Sequence, residues 1–348
     1  MLTLPHIGRL PSGPLNAISD VAGITVGHAT LAQDAIQTGV TVIRPHGGDP
    51  FRDKLPAAAT VFNGFGKSIG LLQLQELGVL ETPIALTNTL SVGAVATAQI
   101  RSAIGSNPEI GRSDPTINPL VFECNDGYLN DIQAMAVTAA HYQQALDSAA
   151  AEFAQGAVGA GRGMSSFDLK GGIGSASRCA KIGGKQYCVG ALVLSNFGKL
   201  PALTLAGRPL GQQLGPQLLA LRQPAGETPE MGSIIMIIAT DAPLDARQLG
   251  RLATRCGIGL GRTGSIYGHG SGDLALAFST AQTVPYRPHD ALRQSACLHD
   301  SLLDPLFEAV ADSTEQAIVN ALFAAETVKG RDGHQRLSLS DLAARLPT

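Results

Sequence analysis

The strongest hydrophobic signal in the chain is Ser233 to Ala239, SIIMIIA, a continuous apolar run of the length of a strand buried on both faces. Cys188 to Asn196 (CVGALVLSN) reads as another strand of an inner sheet, and Leu274 to Phe278 as a third. Near the start, Asn16 to Gly27 and Gly39 to Arg44 alternate, predicting short strands parted by turns. Helical spacing appears at Leu71 to Leu80, closed by Gly78 and Pro83, and at Leu244 to Cys256. Asn88 to Ile100 is Ala-rich and predicts a buried helix, and a longer one is expected near Asp131 to Phe153. Leu302 to Thr327 reads as an amphipathic helix with Leu306, Phe307, Val310, Ile318, Leu322 and Phe323 inward. Strands and helices mix without a regular β-α-β rhythm or a repeat of fixed period, which predicts α+β layers with helices covering sheets.

Composition narrows the classes of function. The 348 residues can bury a large core, and 15% charged against 44% hydrophobic residues excludes a disordered chain. A net charge of −3 with scattered Lys and Arg offers no basic face for nucleic acid, so small, weakly polar substrates are expected. The start, MLTLPHIGRLPSG, lacks the features of a signal peptide, and the polar residues within Thr82 to Ile100 argue against a membrane span. Five cysteines without a C-x-x-C pair argue against a disulfide framework or zinc site and for reduced thiols in the cytoplasm. Eight histidines without a ligand pair call for no metal, and no cofactor is expected. The glycine-rich Gly156 to Ser177 lacks the strand before and helix after that a dinucleotide fingerprint needs, so it reads as a closely packed hairpin.

Candidate chemistry begins at Gly232–Ser233. Gly-Ser occurs five times, so the pair alone says little, but only here does a polar loop, Leu221 to Met231 (LRQPAGETPEM), run into a long apolar strand. Cleavage at that point would leave a serine at the mouth of a rigid strand. A serine hydroxyl needs a base to become a nucleophile. A free α-amine, with a pKa near ~8, can be that base near neutral pH. Glycine before the cut would tolerate the backbone conformation that attack on the preceding carbonyl requires. An ordinary serine opening a strand fits the same local pattern.

Further polar groups sit where apolar strands end. Ser271 and Asp273, two apart in GHGSGD, point the same way in an extended chain and can relay protons to an amine or hold it; a turn ending a loop is the alternative. His269 is a second candidate base or a packed loop residue. Asn196 closes an apolar strand, where its amide can stabilise an oxyanion or cap a turn. In Glu123 to Asp131 (ECNDGYLND) one of the carboxylates can bind a substrate ammonium and the Tyr128 hydroxyl can be a second oxyanion donor, with helix capping by Asp126 or Asn130 as the alternative.

Taken together these segments resemble the self-processing L-aminopeptidase/D-amidase/D-esterase family, which includes the β-aminopeptidases. The resemblance runs from SGPLNAISDVAGITVGH (from Ser12) through NGFGKSIG (from Asn63), LETPIALTNTLSVG (from Leu80) and NDGYLND (from Asn125). It continues through GAGRGM and KGGIGSASR (Gly159 to Arg178) and MGSIIMIIATDAPL (from Met231) to SGDLALAFSTA (from Ser271). It implies a four-layer αββα sandwich, shared in outline with ornithine acetyltransferase, and one catalytic domain cut between Gly232 and Ser233 into residues 1–232 and 233–348. It further implies a homo-oligomer, often a tetramer of processed units, acting on short peptides, amides or esters with a free amine. On the same resemblance Ser233 is the nucleophile, Ser271 and Asp273 its supporting pair, Asn196 and Tyr128 the oxyanion donors, and Glu123 the match for binding the substrate amine. Some relatives carry glutamate at the position of Asp273. Two competing expectations are an acyltransferase of the same architecture, which would use threonine rather than serine, and an unprocessed, non-catalytic homologue.

Overall fold

Two hydrophobic faces on each of two sheets organise the molecule, whose computed structural model describes residues 3–214, 232–288 and 290–344. β1 (Thr25–Gln33) and β2 (Ile36–Arg44) form an antiparallel hairpin. After β3 (Asp53–Gly64), helix α1 (Leu71–Leu77) and the two-residue β4 (Val79–Leu80), β5 (Ile84–Asn88) joins β2 antiparallel. β6 (Leu120–Cys124) then lies parallel to β5, completing a four-stranded sheet in the order β1-β2-β5-β6. The connection from β5 to β6 carries α2 (Val92–Ser106), and α3 (Ala139–Asp147) follows β6.

The second sheet has seven strands. A small hairpin, β7 (Ser165–Ser166) and β8 (Leu169–Lys170), leads into β9 (Gly172–Ile182) and β10 (Lys185–Asn196). β11 (Ser233–Thr240) pairs antiparallel with β10 and parallel with β12 (Gly272–Ser279), while β3 and the short β13 (Val284–Pro285) extend the order to β13-β3-β12-β11-β10-β9, with β4 against β3. β10 and β11 are thus hydrogen-bonded neighbours although the Gly232–Ser233 junction separates them in sequence.

Side-chain alternation builds three apolar layers. Between the sheets, Ile43, Leu86 and Phe122 meet Leu192, Leu194, Ile235 and Ile237. On the outer face of the larger sheet, Val193, Ile234, Met236 and Ile238 pack against Leu249 and Leu252 of α4 (Ala246–Arg262) and Leu306, Val310 and Ile318 of α5 (Asp304–Ala324). On the outer face of the smaller sheet, Val40, Val42, Ala85 and Val121 meet Val95 and Ala98 of α2 and Tyr142 and Ala145 of α3. The result is the expected αββα sandwich. Because β11 is central in its sheet and covered on both faces, every one of its residues is buried, which is why SIIMIIA has no polar alternation.

Besides the helix expected over Leu71 to Leu80, which ends at Leu77 with Val79–Leu80 as a strand, three elements differ from the pattern-based reading. Asn16 to Gly27 is mostly irregular: Asn16 takes a left-handed φ of 46°, and Asp20 accepts hydrogen bonds from the Leu15 and Ala17 amides, so the strand starts only at Thr25. The long helix expected near Asp131 to Phe153 is broken. Met135, at φ 45°, ends a 3-10 turn at Ile132–Ala134, and α3 covers only nine residues before the chain bridges to Val26. α5 is not amphipathic, since every residue from Ala309 to Leu322 is buried. Its polar side is covered too: Gln316 accepts from the Ile7 amide and from Arg178, and Asp312 pairs with Arg262 at 2.7 Å. The polar loop Leu221 to Met231 lies outside the described residues.

Candidate active site

One end of the larger sheet collects four of the candidate residues. The C-terminal end of β10, the N-terminal ends of β11 and β12 and the C-terminal end of β3 lie side by side, with Asn196 opposite Ser233, Ser233 opposite Gly272, and Gly272 opposite Gly64. Ser233, Asn196, Ser271 and Asp273 are all buried. The Ser233 hydroxyl donates to the Gly232 carbonyl at 2.6 Å. The same carbonyl accepts from the Gly272 amide at 3.2 Å, and that amide is 3.4 Å from Ser233 Oγ. The Gly232 carbonyl is therefore polarised by a fixed ladder hydrogen bond while a hydroxyl lies against it. Room explains the glycine at 232: a Cβ there would come within 2.8 Å of Phe197 Cα and 3.0 Å of Asn196 O.

Ser271 and Asp273 flank Gly272, and Ser271 Oγ donates to Asp273 Oδ1 at 2.7 Å, so the pair does share one side of the chain. The register between β12 and β3 shifts at Asp273/Leu274, and such bulges re-aim side chains beside functional sites. Asn63, opposite Asp273, holds the preceding turn by donating to the carbonyls of Gly268 (3.0 Å), His269 (3.2 Å) and Ser271. His269 itself is exposed, its ring 6.2 Å from that of Phe65 between centroids.

The hairpin β7–β8 fastens the end of β10. Ser165 N–H donates to Asn196 Oδ1 at 2.8 Å, and Asn196 Nδ2 donates to Asn125 O at 3.0 Å. Those two bonds fix which way the amide faces and leave one N–H of Nδ2 to give. The hairpin is held by Lys170, fully buried, whose Nζ donates to the carbonyls of Gly161, Met164 and Gly171 at 2.7–2.9 Å. Burial lowers the pKa of this lysine well below the usual ammonium range.

The smaller sheet supplies the other wall. Glu123, at the end of β6, accepts from the Lys67 amide at 2.7 Å and from the Thr89 hydroxyl. Gly66 bridges the sheets: a Cβ on it would meet Glu123 Oε1 at 3.5 Å and Gly272 Cα at 3.9 Å. The Cys124 thiol, next in sequence, reaches Leu194 O at 3.7 Å. Burial first, then the charges of Glu123 and Asp273, push this thiol well above its usual range, so it stays protonated and is no rival nucleophile.

Tyr128 stands apart from the others. It is 39% exposed, its ring stacks on His334 (4.6 Å between centroids), and its hydroxyl has no hydrogen-bond partner among the described residues. It reaches the site through its loop, which Asn196 grips at Asn125. The neighbouring Asp126 is buried and its carboxyl is raised to about 7, chiefly by desolvation.

Reading for catalytic types missed Asn63, Gly272, Ser165 and Lys170. Asn63 and Lys170 fall inside the NGFGKSIG and KGGIGSASR segments, so the resemblance marked them without a role, whereas Gly272 acts through its backbone and has no residue-type signature. Gly66 to Gly70 (GKSIG) also spells a serine-hydrolase elbow, but the Ser68 hydroxyl is buried with no hydrogen-bond partner and hence no base among the described residues. A cavity of about 500 Å³, lined by Arg44, Phe51, Thr82, Gln99 and Tyr142, opens at the opposite end of the smaller sheet from Glu123 and includes none of the candidate residues.

Comparison with known proteins identifies the family. Residues 16–336 match the model of peptidase family S58. The chain is 38% identical over 365 residues to the beta-peptidyl aminopeptidase BapA of Sphingosinicella microcystinivorans, covering 99% of this chain and 90% of that protein. Among solved structures, the PH0078 protein of Pyrococcus horikoshii OT3 superimposes with a TM-score of 0.91 at 47% identity, over 97% of this chain and 95% of that one. The L-aminopeptidase D-Ala-esterase/amidase of Ochrobactrum anthropi, described as a variant of the Ntn hydrolase fold, gives 0.87 at 35% identity, over 96% and 94%. The chain belongs to peptidase family S58 and is a serine-type aminopeptidase of the N-terminal-nucleophile class.

Proposed function

We propose that the chain cuts itself between Gly232 and Ser233 and that the new terminus then hydrolyses short peptides, amides or esters bearing a free amine. The observation that carries this reading is the Gly232 carbonyl, which accepts from Ser233 Oγ at 2.6 Å and from the Gly272 amide at 3.2 Å. Ser233 Oγ attacks the carbonyl carbon of Gly232, the Gly272 N–H steadies the developing oxyanion, and the C–N bond breaks with proton transfer to the departing amine. Water then hydrolyses the Gly232 ester, freeing the Ser233 hydroxyl beside the α-amine already released and leaving Gly232 with a carboxyl terminus. In substrate turnover that amine takes the hydroxyl proton as Ser233 Oγ attacks and gives it to the leaving group as the scissile bond breaks. Water then hydrolyses the acyl ester to restore the Ser233 hydroxyl. The remaining Asn196 Nδ2–H, with the Tyr128 hydroxyl, meets the oxyanion. Ser271 and Asp273 hold the protonated amine, and Glu123 receives the substrate ammonium.

The names of the relatives support amino-terminal substrates, with β-linked residues one option among them. The reading includes a homo-oligomer, a tetramer of processed units, and a cytoplasmic location supported by five unpaired cysteines. The test is intact mass together with hydrolysis of aminoacyl p-nitroanilides. Wild type should give two chains, residues 1–232 and 233–348, and Ser233→Ala should give one inactive chain. A Ser233→Ala protein that still divides at this bond would overturn the reading.

A further inference from the structure

The phenol of Tyr128 presents a physical problem. A ring 39% exposed, on a loop, whose hydroxyl has no partner among the described residues, has two side-chain torsions to settle before it can meet an oxyanion reproducibly. Something must hold the ring. The backbone around it is already tied down: Arg331 Nε donates to Gly127 O at 2.6 Å, the Arg331 amide to Leu129 O at 2.8 Å, and His334 Nδ1 lies 2.8 Å from Tyr128 O. These contacts fix the loop, and the His334 ring stacks on that of Tyr128 with 4.6 Å between centroids, but neither ties the ring to the strand ends that carry Asn196.

The ring is held from the C-terminal segment. The Arg336 guanidinium carbon lies 3.7 Å from the Tyr128 ring centroid, close stacking for a cation on an aromatic face. Arg336 Nε also donates to Ser165 Oγ at 3.2 Å, and the amide of that same Ser165 donates to Asn196 Oδ1 at 2.8 Å. One planar cation is thus registered both to the ring of one proposed oxyanion donor and to the residue that orients the other. Lysine could supply the charge but not the flat, forked shape that stacks and hydrogen-bonds together.

We propose that Arg336 is a positioning residue, holding the Tyr128 ring so that its hydroxyl meets the oxyanion in line with Asn196. This rests on the reading of Tyr128 as a second oxyanion donor, and the experiment separates the two. Arg336→Gln, Tyr128→Phe and the double variant are purified, checked for complete self-cleavage by intact mass, and assayed on an aminoacyl p-nitroanilide. Tyr128→Phe should lower kcat, as loss of an oxyanion donor does. Arg336→Gln should lower kcat about tenfold with KM within about twofold, yet change kcat less than about twofold in the Tyr128→Phe background, the non-additivity of residues acting as a unit. Arg336→Lys should recover only part of the loss. An equal loss from Arg336→Gln in both backgrounds, or no loss while Tyr128→Phe is impaired, overturns the positioning role. A Tyr128→Phe enzyme with unchanged kcat overturns the donor reading itself, and the proposal with it.

Discussion

At the scale of single residues, the orientation of the Asn196 amide is the most informative detail. Its Oδ1 accepts from the Ser165 amide and its Nδ2 donates to Asn125 O, so the amide cannot flip without losing both bonds. A donor fixed in this way costs no reorganisation when charge develops. Asn196→Ala should therefore lower kcat by about 10²–10³, the usual loss for one oxyanion donor, as measured by p-nitroanilide hydrolysis of processed enzyme. A loss below about tenfold would remove Asn196 from the role. Ser233, Ser271 and Asp273 were legible as residue types in suggestive places. What the chain order hid is that Gly272, a residue without a side chain, touches both the Gly232 carbonyl and the Ser233 hydroxyl.

At the scale of elements, local pattern served where one packing environment acts along a whole segment. β10, β11, β12 and α4 were legible because burial is uniform or regularly periodic along each. It served poorly where distant segments decide. The predicted helix near Asp131 to Phe153 fails at Met135, and α5 carries a polar face that reads as exposed but is covered by residues 5–9, Arg178 and Arg262. The crossing of α5 over β9 depends on Gly174, where a Cβ would lie 1.9 Å from Ala317 O and 2.7 Å from the Ala321 amide. Neither atom can move without shifting the helix. Gly174→Ala should destabilise the fold by about 3 kcal/mol, the upper end for overpacking, visible as a lower urea midpoint. An unchanged midpoint would mean that α5 sits more loosely than its contacts imply.

At the scale of the whole molecule, the candidate site exists only where the two sheets meet. Glu123 and Asn125 come from the end of the smaller sheet, and Asn196, Ser233 and Gly272 from the end of the larger. Asp126, inside this junction, gives it a pH signature. Its folded-state pKa, about 7, stands above the 3.8 of a free carboxyl because desolvation outweighs the bonds from neighbours such as Asn130. A raised carboxyl binds its proton more tightly in the folded state, so its contribution is greatest below about pH 4 and is lost as pH rises towards 7. Relative to Asp126→Asn, the wild type should lose stability, on the order of a few kcal/mol, between pH 4 and pH 8. Urea unfolding of both proteins across that range measures it, and parallel pH profiles would contradict a raised pKa.

The sequence by itself determined the layered α+β class, the inner strands and the junction at Ser233, because burial on both faces and abrupt changes of polarity are written locally. Ordered segments along nearly its whole length also marked the family and the residue types of the site. Only the tertiary structure decided how these residues meet. Strand register put Asn196 and Gly272 beside Ser233, the bulge at Asp273 set its neighbours, and a C-terminal arginine came to rest on Tyr128. Register and sheet-to-sheet contact depend on pairings between residues far apart in the chain, which no local periodicity encodes.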